Sequence, residues 1–124
     1  AECVHVIGSV PPPHKLKALS GTLLEYVQIK QHSNPTQFLE HIRENDIKLI
    51  SAEINDEATP LNQYGFNFRT PICIVVGHEQ VGIPVELIQN SDSVFISMPG
   101  VGYCLNTAQA GNIMLYEASK RIMF

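Results

Sequence analysis

Apolar runs alternate with polar, helix-patterned stretches along the whole chain. That alternation predicts an α/β domain with a mainly parallel sheet flanked by helices. Five runs read as strands: Cys3 to Ile7, Tyr26 to Ile29, Ile47 to Ala52, Ile72 to Val76 and Val94 to Ile96. Pro11-Pro12-Pro13 reads as an irregular loop. Ser33-Asn34-Pro35 supplies a cap and a first-turn proline for a helix carrying Phe38, Leu39 and Ile42 on one face. The polar stretch from Asn55 to Arg69, with Pro60 and Gly65, reads as a long connection or a short helical turn. Pro84 to Gln89 predicts a short helix. A closing helix is expected from about Asn106 to Ile122, where Ala108, Ala110, Gly111 and Ala118 permit close backbone packing.

Length and composition narrow the class. The chain has 124 residues, enough for one domain over residues 1–124 and one core. Its 44% hydrophobic and 16% charged content is that of an ordinary soluble protein. No apolar run reaches membrane-spanning length, and Ala1-Glu2-Cys3-Val4 has neither the basic region nor the cleavage site of a signal peptide, so no membrane partner and a cytoplasmic location are expected. Without an initiating methionine, and opening at once on a strand, the sequence reads as a piece of a longer protein. Cys3, Cys73 and Cys104 form no close pair, and His5, His14, His32, His41 and His78 show no ligand spacing, so no metal is expected. A net charge of −4 argues against strong non-specific attraction to a phosphate backbone. Any nucleic-acid contact must then be local.

The candidate chemistry lies in the last third. Ile72-Cys73-Ile74-Val75-Val76-Gly77-His78-Glu79-Gln80-Val81-Gly82 is followed by Ile96-Ser97-Met98-Pro99-Gly100 and then by Cys104-Leu105-Asn106. A buried strand running into Gly77 delivers a tight turn, a carboxylate and a second glycine. Three such loops at one end of a parallel sheet lie where ligands bind in open α/β folds. No G-x-G-x-x-G, no phosphate loop and no nucleophile elbow occurs. What remains is a crevice built largely from main chain around Gly77, Ile96 to Met98 and Leu105. It suits a flat heterocycle with hydrogen-bonding edges, adenine above all. Each residue also has a plainer reading. Gly77 and Gly82 serve as turn glycines, Glu79 as a carboxylate near a helix start, Asn106 as a helix cap, and Cys104 as a small buried hydrophobe. His78 reads as a solvent-side loop residue, and Tyr103 and Tyr116 as core or contact aromatics.

The blocks G-H-E-Q-V-G-I-P, I-S-M-P-G and C-L-N, with the helix A-Q-A-G-N-I-M-L-Y-E-A, resemble the second and third signature motifs of the SPOUT superfamily. The match is to the SpoU (TrmH-type) tRNA/rRNA ribose 2′-O-methyltransferases, strongest from Ile72 to Arg121. The resemblance implies a SPOUT-like α/β fold with a C-terminal trefoil knot, a homodimer, and methyl transfer from S-adenosyl-L-methionine to a ribose hydroxyl of RNA. It places the cofactor at Gly77, Ile96, Met98 and Leu105. Asn106 and Glu79 fall on polar active-site positions, and Cys104, completing that catalytic set, stands where the family has serine and offers a weaker donor and acceptor. Ser97 replaces a usual proline. The family's first motif, an Asn-x-Gly segment with a following arginine, has no counterpart in this sequence, which opens at the next strand. A non-catalytic cofactor-binding or RNA-associated homologue is therefore the alternative expectation.

Overall fold

The computed structural model describes residues 2–20, 25–78, 80–98 and 106–123. They form two compact units, Ala1–His41 and Ile42–Phe124.

In the first unit β1 (Cys3–Ile7) and β2 (Gln28–His32) run parallel, in register from Cys3 with Gln28 to Ile7 with His32. Parallel neighbours need a crossover, and α1 (Pro13–Ser20) lies within it. The irregular loop expected at the three prolines is thus corrected to a loop leading into a helix. The amides of Lys15 and Leu16 donate to the Pro12 carbonyl at 3.0 and 3.2 Å. Pro13 takes the first helical position, where a missing N–H costs nothing because that group has no intrahelical acceptor. The strand expected at Tyr26 starts two residues later and continues through Lys30, Gln31 and His32. Backbone pairing with β1, which is indifferent to side-chain polarity, decided this boundary. The cap expected for α2 (Pro35–Glu44) is present in reciprocal form. Asn34 Oδ1 accepts the Gln37 N–H at 2.9 Å, and Gln37 Oε1 accepts the Ser33 N–H at 3.1 Å. Phe38, Leu39 and Ile42 are buried.

In the second unit the chain leaves α2 through a Schellman turn: Ile47 N–H donates to Ile42 O and Asp46 N–H to Arg43 O, with Asp46 at φ 51°. Four strands follow: β3 (Lys48–Ala52), β4 (Thr59–Pro60), β5 (Ile72–Val75) and β6 (Ser91–Phe95). Their order is β4-β6-β3-β5, and the pairings between these four strands are all parallel, in line with the mainly parallel sheet the sequence pattern predicts. A 3-10 turn at Leu61–Gln63 lies in the polar connection, and α3 (Val85–Gln89) joins β5 to β6. β6 opens three residues before the apolar run at Val94. Its serines satisfy their hydroxyls inside the unit: Ser91 Oγ meets Ser51 Oγ and donates to the Ile88 carbonyl, while Ser93 Oγ accepts from Asn55 Nδ2 at 2.9 Å. The closing helix, α4 (Thr107–Met123), buries Met114 and Ala118, and Met114 joins Ile50, Leu61 and Val94 in the core.

The site depends on the position of β3 between β5 and β6. Ser51 pairs with Val75 on one side and Ser93 on the other. The carboxyl ends of β5 and β6 therefore emerge at the same edge of the sheet, two strand spacings or about 9.6 Å apart.

Candidate functional site

β5 ends at Val75, and the chain doubles back within seven residues. His78 and Gly82 form an antiparallel bridge in which Gly82 N–H donates to His78 O at 2.8 Å, with Gly82 at φ 77°, a conformation that favours glycine. This fold-back leaves no room for a side chain at Gly77. A Cβ there would lie 2.5 Å from the Gly82 carbonyl carbon and 2.6 Å from the Ile83 nitrogen. The turn is also stapled by a side chain: Gln80 N–H donates to His78 Nδ1 at 3.1 Å. A neutral His78 ring so engaged carries its proton on Nε2, a donor.

The opposing wall is the start of α4. Asn106 caps it, with Oδ1 accepting the Ala108 N–H at 2.8 Å and the main-chain oxygen accepting the Ala110 N–H at 2.9 Å. The helix packs closely because Gly111 faces Val76; a Cβ at Gly111 would lie 3.4 Å from Val76 Cγ1. Between the turn and the helix start is an open cleft of about 610 Å³, lined by Val76, Gly77, His78, Gln80, Thr107 and Ala108. That size falls within the 300–1,000 Å³ usual for small-molecule sites. The lining combines an apolar side chain, a bare backbone turn and the donor-rich end of a helix. Such a surface can grip a heterocycle or a polar tail through main-chain groups.

Of the residues expected from sequence, Gly77 lines this cleft and Asn106 caps the helix beside it. Ile96 follows β6 and packs against the core of the second unit; Met98 is exposed; neither belongs to the lining among the described residues. Glu79, Cys104 and Leu105 lie outside the described residues. The sequence reading did not single out Val76, Gln80, Thr107 or Ala108 as liners. Val76, Gln80 and Thr107 are each next to a site residue it did name and Ala108 is two positions from Asn106, so closeness in sequence was the available signal.

Elsewhere in the second unit, Asp92 Oδ2 accepts from the Tyr64 hydroxyl at 2.7 Å and lies 3.1 Å from Lys48 Nζ. Burial alone would raise Asp92, but the Tyr64 hydrogen bond and the Lys48 ammonium outweigh it and hold the carboxyl below its ordinary value. Burial first, then the bond to Asp92, pushes the Tyr64 phenol well above its usual range. The group is structural, tying the connection before β5 to β3 and β6.

A family model described as the SpoU rRNA Methylase family matches residues 1–116. The tRNA (guanosine(18)-2′-O)-methyltransferase of Escherichia coli is 25% identical over 122 residues, covering 95% of this chain and 52% of that protein. The 23S rRNA (guanosine-2′-O-)-methyltransferase RlmB of Acinetobacter baylyi is 27% identical over 113 residues, covering 90% of this chain and 44% of that one. The chain thus spans about half the length of these curated relatives. Among solved structures, an AdoMet-bound rRNA methyltransferase from Sinorhizobium meliloti superposes with a TM-score of 0.84 at 23% identity, over 98% of this chain and 46% of that one, a likeness of fold. A protein studied for 2-OH methylation of C/U34 on tRNA superposes with a TM-score of 0.80 at 26% identity, over 96% and 78%.

Proposed function

This chain belongs to the SpoU rRNA methylase family, and from that premise we propose that it is the core of an S-adenosyl-L-methionine-dependent ribose 2′-O-methyltransferase acting on tRNA or rRNA. The observation that carries the reading is the cleft between the side-chain-free turn at Gly77 and the Asn106-capped start of α4, at the carboxyl edge of a parallel sheet. It has the size and the main-chain character that a nucleoside-bearing cofactor requires. The chemistry the cofactor supplies when bound is an electrophilic methyl group.

The chain's own residues would hold and orient. Val76 and Gly77 offer an apolar face and backbone groups, and Thr107 a helix-end amide, while the Ala108 amide is held by the Asn106 cap. Ile96, Met98 and Leu105 complete the cofactor set in this proposal. Asn106 would steady the reacting end, and Glu79 and Cys104 belong to the same catalytic set in this proposal. The residues named would keep the methyl group that the cofactor supplies in line with a ribose oxygen. Positioning of this kind can lower a barrier by roughly 7 to 11 kcal/mol in favourable cases. The proposal includes a C-terminal trefoil knot, a cytoplasmic location and a homodimer, the last supported by Ile113, Leu115 and Tyr116 exposed on α4.

Isothermal calorimetry with S-adenosyl-L-methionine and with its demethylated product, on the chain and on Leu105→Arg, tests the cofactor site. Saturable one-to-one binding abolished by Leu105→Arg is expected; a folded chain that binds neither compound sinks the proposal. Methyl incorporation into total tRNA and rRNA, read as 2′-O-methylnucleosides, then tests the reaction. Cofactor binding with no incorporation would favour the non-catalytic homologue.

A further inference from the structure

Three of the five histidines, separated in sequence, meet inside the first unit. His5 on β1 and His32 on β2 share a sheet face, because His5 pairs with Lys30 in register and side chains repeat every two residues. Phe38 and His41, three apart on α2, cover them from one helix face. The His5 and His32 rings stack with centroids 5.2 Å apart, His41 lies 5.2 Å from His5 and 5.4 Å from His32, and Phe38 meets both edge-on at 5.5 and 5.3 Å. His5 Nδ1 is 3.0 Å from His32 Nε2, a hydrogen bond in which one nitrogen must donate and the other accept.

We propose that these histidines form a proton-sensitive latch that holds α2, at Phe38 and His41, on the β1–β2 pair near neutral pH and releases it on acidification. The shared edge tolerates one proton. A second would point two N–H groups at each other across 3.0 Å, so the bond must break and the rings separate. The charges acting on the pair favour this outcome, since all are positive: Lys30 on β2 and His41 on α2, with His32 also acting on His5. Burial first, then these charges, holds both histidines below their ordinary value. The unfolded chain, free of burial and neighbours, then binds more protons. The latch is at full strength above about pH 6.5 and weakens as pH falls below it. Among the described residues no group of three His, Cys, Asp or Glu is arranged to hold a metal ion, so the ligand here is the proton. The inference does not depend on methyltransferase activity.

Imidazole nitrogen NMR of the intact chain, titrated from about pH 7.5 to about pH 5 across the range of histidine, tests it together with amide exchange corrected for its intrinsic pH dependence. His5 and His32 should titrate as a coupled pair with midpoints below that of free histidine in the same buffer. Protection in β1, β2 and α2 should drop in step. His32→Gln, which keeps a neutral partner for His5, should reduce the acid-dependent loss, leaving the part due to burial of His5; should that variant not fold, the titration of the natural chain decides. Independent titration at or above the free-histidine midpoint would overturn the latch, as would unchanged protection. So would stability at neutral pH that requires Zn²⁺ and is lost with EDTA.

Discussion

At Gly77 the smallest possible addition is forbidden. Gly77→Ala puts a methyl within 2.6 Å of two backbone atoms that cannot rotate away, so the fold-back must open. A loss of about 1 to 3 kcal/mol of stability is expected, with cofactor affinity falling with it; thermal melts and calorimetry on the same sample check both. Asn106 poses a finer question because its side chain is visibly a cap. Asn106→Ala should lower stability by about 0.5 to 2 kcal/mol in urea unfolding, whereas Asn106→Asp keeps the acceptor and should cost little. If Asn106→Asp also retains full methyl transfer, the residue is a cap and nothing more; a stable protein with transfer lost assigns it to the reaction. The sequence named both roles for this residue, and the structure displays the capping one.

At the scale of elements, α2 was the most legible. Its start was written in Ser33-Asn34-Pro35 and its buried face in Phe38, Leu39 and Ile42. Its end was not foreseen, because a Schellman turn closed by Asp46 at φ 51° lacks the customary glycine. Asp46→Val should cost about 1 to 2 kcal/mol, since a β-branched residue fits the left-handed region poorly; chemical denaturation reads it. α1 and the first residues of β6 were missed for opposite reasons. Three prolines look like an interruption until one is placed at a helix's first position. Ser91-Asp92-Ser93 looks like a loop until Ser51, Asn55 and the Ile88 carbonyl supply hydrogen bonds from distant sequence. α4 depends on its buried side: Met114→Ala, at a fully buried core position, should destabilise by about 2 to 5 kcal/mol.

For the whole molecule, two compact units imply two acid responses of separate origin. One belongs to the histidines of the first unit below about pH 6.5. The other belongs to Asp92 in the second. Its carboxyl is held below 3.8 by Tyr64 and Lys48, so its contribution is present above that value and is lost as pH falls through the lower folded value. Far-UV circular dichroism during acid titration should show the second unit failing last, and Asp92→Asn should remove the dependence on pH in that lower range. The sequence alone determined the alternation of strands and helices, the parallel sheet and the family, because those rest on local periodicity and on motifs contiguous in the chain. Only the tertiary structure decided that Gly77 admits no side chain, that Val76 and Thr107 face one cleft, and that His5, His32 and His41 meet. The first depends on how tightly the turn at Gly77 folds back on Gly82 and Ile83, and the others on distances between separate segments, which strand register and helix packing set and no local pattern records.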